Sequence, residues 1–178
     1  MMQDETNLPV SPDMESLLDL MAEHIRRRWG SAQENKLRLV GILTGGAWVA
    51  EQLRARLKIT EPIGLLNISF YRDDFSRRSL HPEIQPSSLP FDIENQEILL
   101  IDDVLMTGRT IRAAMNELFD YGRPSAIRLA VLADVGAREL PMRPDVVGWT
   151  LKAPEGYRLK LNSKDGLLVW RRIGRPQM

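Results

Sequence analysis

The sequence contains no cysteine. Disulfides, thiolate metal sites and a cysteine nucleophile are excluded together. Only two histidines are present, His24 and His81, which excludes a histidine-rich metal centre. Formal net charge is zero, with 24 basic and 24 acidic residues. Bulk electrostatics therefore does not announce a nucleic-acid binder, and any basic surface must be local. No apolar run approaches ~18 residues, the length that marks a membrane span. Residues 1–10 are polar and acidic, without the basic-then-apolar order of a signal peptide. A cytoplasmic protein is the simplest expectation. At 178 residues, with 43% hydrophobic and 27% charged residues, one domain with a substantial core is expected.

What is present is organised around Ile98 to Thr110. Ile98, Leu99, Leu100 and Ile101 are consecutive branched apolar residues, which suit a short strand covered on both faces. Asp102 and Asp103 follow as adjacent carboxylates. Val104, Leu105, Met106, Thr107, Gly108, Arg109 and Thr110 then lead through a small-residue loop into a helix. That helix is marked by Ile111, Ala114, Met115, Leu118 and Phe119 on one face, and by Gly122 and Pro124 at its end. Thr107, Gly108 and Thr110 offer hydroxyls and a close-approaching backbone at a helix N-terminus, where unpaired N–H groups and the helix dipole attract an anion. A phosphate-sized anion beside a carboxylate pair suggests a phosphorylated sugar whose hydroxyls, or a bound metal ion, meet the acids.

The remainder supports an α/β chain with a central, mainly parallel sheet. Ser11 and Pro12 read as cap and first residue of a helix whose apolar stripe is Met14, Leu17, Leu18, Met21 and Ile25. His24 lies beside that stripe and reads as structural or exposed. Arg26 to Arg28 end the helix as a basic run. Leu37 to Leu43 is a strand, Thr44-Gly45-Gly46 a tight turn, and a second helix begins near Ala47 with Val49, Ala50, Leu53 and Leu57 on one side. This repeats the strand, small-residue loop and helix arrangement of residues 98–121, which puts ligands at the carboxyl end of a parallel sheet. Ile63 to Tyr71 reads as a further strand. Residues 71–96 have little apolar periodicity and read as a lid or binding loop carrying His81, or as a hairpin with Ile84 and Phe91 on its arms. Ile127 to Ala133 is a buried strand ending at Asp134, and Val146 to Leu151 is another. Tyr157 to Leu161 and Leu167 to Arg171 flank Asn162 to Gly166, a hairpin turn, so residues 146–178 form C-terminal strands with an antiparallel end.

An apolar strand ending in two acids has several uses. A magnesium-binding strand of an ATPase would need a G-x-x-x-x-G-K-[ST] loop, which the sequence lacks. A phospho-accepting signalling domain would place its acids on the first strand. A dinucleotide fold would want G-x-G-x-x-G after that strand, and Thr44-Gly45-Gly46 does not supply it.

Ile98 to Thr110 resembles the signature of type I phosphoribosyltransferases, which bind phosphoribosyl pyrophosphate (PRPP). Ser69 to Phe75, Ile111 to Met115, Asp120 to Pro124 and Arg138-Glu139-Leu140-Pro141 narrow the resemblance to the PyrR family, whose members regulate pyrimidine operons and act as uracil phosphoribosyltransferases. The likeness covers residues 37–148. It implies the type I phosphoribosyltransferase fold across a single domain, 1–178. It implies that Asp102 and Asp103 hold the ribose hydroxyls directly or through Mg²⁺, and that Met106 to Thr110 wrap the 5′-phosphate. Thr44-Gly45-Gly46 would be the pyrophosphate loop, and the lid would begin at Tyr71-Arg72, with Arg72 catalytic. Asp134 and Val135 would lie on the base side. The reaction implied is displacement of pyrophosphate by a ring nitrogen of uracil to give UMP, with positioning, electrostatics and water exclusion as its needs. The sequence departs from the family pattern at Gly45, where many members carry arginine, at Met106, where tyrosine is usual, and at Val135 and Ala137, where arginine and histidine are common.

The resemblance leaves three functions open: uracil phosphoribosyltransferase, nucleotide-sensing regulator that binds pyrimidine-operon leader RNA with little catalysis, and transferase for another base. RNA contacts would fall to Arg26 to Arg28, Arg77, Arg78, Arg171, Arg172 and Arg175. Relatives pack as dimers or tetramers, so a homo-oligomer is implied, with Trp29 and Trp48 either at an interface or in the core.

Overall fold

Strand β3 (Glu97–Leu105) sends Ile98 and Leu100 to one face and Leu99 and Ile101 to the other, and all four are fully buried. A strand apolar on both faces requires a layer on each. The computed structural model, which describes residues 8–30, 37–68 and 85–173, supplies both. Helices α1 (Met14–Trp29) and α2 (Gly45–Leu57) pack with Leu99 and Ile101, whereas α3 (Arg109–Tyr121) packs with Ile98 and Leu100. The sheet adds β1 (Leu37–Ile42), β2 (Gly64–Leu66), β4 (Ala126–Asp134) and β5 (Val146–Thr150) in the order β2-β1-β3-β4-β5, with every neighbouring pair parallel. Strands β6 (Tyr157–Asn162) and β7 (Leu167–Arg172) form the expected antiparallel hairpin, with Leu159 and Leu168 buried on the α1–α2 side of the sheet. Among the described residues, no helix is long and apolar enough to cross a membrane.

Several boundaries differ from expectation. The central strand does not end before its acids. The ladder with β4 continues through Asp102↔Val131, Val104↔Ala133 and Leu105↔Asp134, so hydrogen bonding to the neighbour keeps the chain extended. Asp102 and Asp103 therefore project to opposite faces of the sheet's carboxyl end. Helix α2 starts at Gly45 rather than near Ala47, so both glycines form its first turn instead of a separate one. Strand β2 is limited to Gly64–Leu66, shorter than the stretch expected from Ile63, whose last residues, from Ser69, lie outside the described residues.

Of the segment expected as a lid, residues 71–84, including Arg72 and His81, lie outside the described residues. From Gln85 onward the chain is attached to the sheet. Ser88 and Leu65 exchange two backbone hydrogen bonds of 2.8 Å, and Ile93 is buried beside α3. Trp29 and Trp48 are both partly buried against the core. The ring of Trp48 lies under the hairpin turn, 3.0 Å from where a Cβ on Gly166 would stand.

Helix α1 is capped by Asp13, not by Ser11. The Asp13 carboxylate accepts from the Ser16 backbone N–H at 2.9 Å and from its hydroxyl at 2.8 Å, whereas the Ser11 hydroxyl turns to the Pro12 carbonyl. Those bonds, the backbone one first, hold the Asp13 carboxyl below its ordinary range. A lowered folded-state pKa stabilises fully above the unfolded value of about 3.9, and the contribution fades as pH falls through the lower, folded value. Asp13→Ala is expected to lower the melting temperature at neutral pH, with the gap from the parent closing in acid; thermal melts across that range test it.

Candidate active site

The strand order reverses between β1 and β3. Beyond β1 lies β2 and beyond β3 lies β4, so the connections after these two central strands leave in opposite directions. Ligands of open parallel sheets bind in the crevice outside the strand ends at such a switch point. Here a cavity of about 340 Å³ opens there, and the N-termini of α2 and α3 both reach it.

Glycines let the crevice walls approach. A Cβ on Gly46 would collide with the Ile101 carbonyl oxygen and stand 3.0 Å from Asp102 Cα, so only glycine lets the start of α2 lie on β3. A Cβ on Gly45 would meet the Asp103 carboxylate, 2.5 Å from its Cγ. An arginine at 45 would require Asp103 to swing away. Gly108 has φ +91°, and a Cβ there would stand 2.8 Å from Met142 Cγ. Left-handed backbone and a side chain packed behind it both require glycine at this point.

The acids sit on this base. Asp102 is 2% exposed and its Oδ1 accepts from the Asp103 N–H at 2.9 Å. Asp103 is half-buried, and its Oδ1 accepts from the Val104 N–H at 2.9 Å. Each carboxylate is thus oriented by the next amide, and both line the cavity. Thr107 to Thr110 form the facing wall, where the Arg109 N–H donates to the Thr107 hydroxyl at 3.2 Å.

The structure brings together most of the residues singled out in the sequence. Thr44, Gly45 and Asp102 to Thr110 line one cavity, with Gly46 packed behind them. Ile98 to Ile101 do not line it; they are the buried strand beneath. Of the pair expected on the base side, Val135 lines the cavity. The carboxylate of Asp134 is turned to other partners, accepting from Arg138 Nη2 at 2.6 Å and from the Gly136 N–H at 3.0 Å. Arg72 lies outside the described residues.

Sequence reasoning missed two cations. Arg158 and Lys160 of β6 line the cavity together with Ala153, Leu159 and Leu161. The two charges on the first strand of the hairpin were the readable signal. Nothing local said that the hairpin folds back over the β3 end. Arg138 was also missed as a contact residue: besides Asp134 it binds the Met106 carbonyl at 2.8 Å.

Comparison with known proteins agrees with this geometry. The family model described as "Phosphoribosyl transferase domain" matches residues 11–156. Among solved structures, a hypoxanthine-guanine phosphoribosyltransferase from Bacillus anthracis superposes with TM-score 0.63 at 17% identity, covering 82% of this chain and 85% of that one. A hypoxanthine phosphoribosyltransferase from Staphylococcus aureus gives TM-score 0.60 at 21% identity, over 85% and 83%. These share the fold. Much nearer in sequence is the bifunctional protein PyrR of Pseudomonas paraeruginosa, 52% identical over 165 residues, covering 93% of this chain and 97% of that protein. That of Pseudomonas aeruginosa is 51% identical over 162 residues, 91% and 95% of the two chains. The chain belongs to the PyrR family of phosphoribosyltransferases.

The Gly46 contact gives a direct prediction. Gly46→Ala forces α2 off β3 and should destabilise the fold by about 1–3 kcal/mol, the usual range for overpacking. Urea unfolding measures this, and ligand binding in the crevice should weaken beyond what the stability loss accounts for.

Proposed function

We propose that the chain is a uracil phosphoribosyltransferase that also serves as a pyrimidine-responsive regulator. One observation carries the enzymatic part: an acid pair, a threonine- and glycine-rich loop and two helix N-termini share one cavity at the sheet's switch point, in a PyrR-family chain. PRPP has a matching set of groups. Its 5′-phosphate goes to the amides and hydroxyls of Met106 to Thr110, its ribose hydroxyls to Asp102 and Asp103, and its pyrophosphate to Thr44-Gly45-Gly46 at the α2 N-terminus. Uracil lies on the side of Asp134 and Val135, with apolar Val135 against the flat ring.

The bond from C1 of the ribose to pyrophosphate breaks as a ring nitrogen of uracil bonds to C1, and the proton of that nitrogen passes to the departing pyrophosphate or to water. Positive charge develops on the ribose and negative charge on the leaving group. Fixed carboxylates beside the ribose and N–H groups beside the pyrophosphate oppose both without reorganising. Arg158 and Lys160, on the same cavity, add positive charge for the leaving group. The donor set suits Mg²⁺ held jointly by protein and substrate: two carboxylates, hard oxygen donors, line the cavity. Asp102 and Asp103 would hold the ion, and its charge would offset that of the pyrophosphate.

The deciding experiment mixes the protein with uracil, PRPP and Mg²⁺ and assays UMP, with purine bases offered in parallel. UMP formation is expected, and its absence above background defeats the enzymatic reading. Asp103→Asn should lower kcat by roughly 10²-fold, the scale of losing one electrostatic contact to a transition state. Arg158→Gln and Lys160→Gln should raise KM for PRPP more than for uracil.

For regulation, the partner class is pyrimidine-operon leader RNA. Arg26 already donates to the Arg56 carbonyl and Arg28 to Asp145, so Arg27, Arg171 and Arg172 are the exposed cations left from the expected set. Arg77, Arg78 and Arg175 lie outside the described residues. A gel shift with leader RNA should show binding strengthened by UMP and weakened by salt; salt-independent affinity would argue against phosphate contacts. A homodimer or homotetramer is the assembly proposed, to be read from light scattering.

A further inference from the structure

The stretch Arg138 to Leu140 has no task in the reaction just described, yet its contacts converge on the back of the phosphate loop. Arg138 is 23% exposed and every kind of guanidinium nitrogen is engaged. Nη1 donates to the Met106 carbonyl at 2.8 Å, Nε to the Met142 carbonyl at 2.8 Å and Nη2 to Asp134 Oδ2 at 2.6 Å. The next two amides, Glu139 N–H and Leu140 N–H, both donate to the Thr107 carbonyl at 3.0 Å. A trans peptide is planar, with its C=O and N–H on opposite edges. Carbonyls of Met106 and Thr107 held from behind therefore turn the amides of Thr107 and Gly108 the other way, and both of these residues line the cavity.

We propose that Arg138 is a positioning residue for substrate binding: anchored by Asp134, it fixes the Met106–Thr107 peptide so that the loop amides face the 5′-phosphate. The proposal rests on reading Met106 to Thr110 as the 5′-phosphate loop, and it gives Asp134 the role of anchor. Lysine would keep the charge but has one nitrogen for three acceptors held in a fixed fork, so it cannot replace the arginine.

The test separates the two halves of PRPP. Ribose 5-phosphate and magnesium pyrophosphate are titrated calorimetrically into the full chain and into Arg138→Met and Arg138→Lys, and UMP formation is assayed alongside. Ribose 5-phosphate affinity should fall roughly tenfold or more in both variants, as losing a charge-assisted hydrogen bond implies. Pyrophosphate affinity should hardly change, and KM for PRPP should rise more than kcat falls. Asp134→Asn should show the same pattern, and combining it with Arg138→Met should add little, since the two act as one unit. Unchanged ribose 5-phosphate affinity in a folded variant overturns the proposal. So does an equal loss for both ligands, which marks general loosening. Arg138→Lys keeps the test decisive if Arg138→Met does not fold. A parent chain that binds both ligands but makes no UMP sinks the enzymatic reading and leaves this one standing. A parent chain that binds no ribose 5-phosphate removes the loop assignment and this inference with it.

Discussion

The close approach of α2 to β3 is the constraint on which the site depends. Gly46 stands where any side chain would strike the Ile101 carbonyl. Because that space is empty, the first turn of α2 lies against the strand that carries both acids. Two anion-attracting helix ends, one after β1 and one after β3, then face a single crevice instead of two separate sheet edges. Parallel pairing of β1 with β3 from Leu37↔Glu97 to Gly41↔Ile101 sets the register, and the glycines set the depth.

The same economy of space governs the acids. As β3 stays extended to Leu105, Asp102 and Asp103 leave the sheet on opposite faces. One is buried and the other is half-buried beside Gly45, and each is oriented by the following amide. Adjacent carboxylates on a helix would diverge by only about 100°, and on a loose loop by no fixed angle. A strand end offers two acids with different environments from one dipeptide, one buried and one half-buried.

Much of this was legible because period and composition agree. Ile98 to Ile101 suit a strand covered twice, the 3.6-residue stripe of α3 is clear, and Asn162 to Gly166 make a good hairpin turn. The loops at Thr44 and Thr107 were visible as small residues at helix starts. What escaped notice depends on partners remote in sequence. Nothing near Asp103 says that β4 will keep it in the ladder. Ser11-Pro12 has the composition of a helix start, but Asp13 is the nearer cap, and its carboxylate reaches the Ser16 amide. Arg158 and Lys160 belonged to a recognised hairpin, but alternation assigns faces, not what a face will cover.

Asp134 shows most sharply how position and role separate. From sequence it is the acid at the end of a buried strand, level with the other two loops, and so a candidate for touching the base. Its backbone is level with the loop that follows β3, since Asp134 pairs with Leu105. Its side chain is nevertheless engaged by Arg138 and Gly136, while its neighbour Val135 lines the cavity. A carboxylate sheltered at 14% exposure needs a cation and hydrogen-bond donors, and the arginine four residues on supplies the first. That arginine in turn has donors left for Met106 and Met142, so neutralising one strand-end acid also ties the loop of the adjacent strand in place. The loop is therefore held from behind, and the side toward the cavity is left to backbone amides, hydroxyls and the two acids of β3.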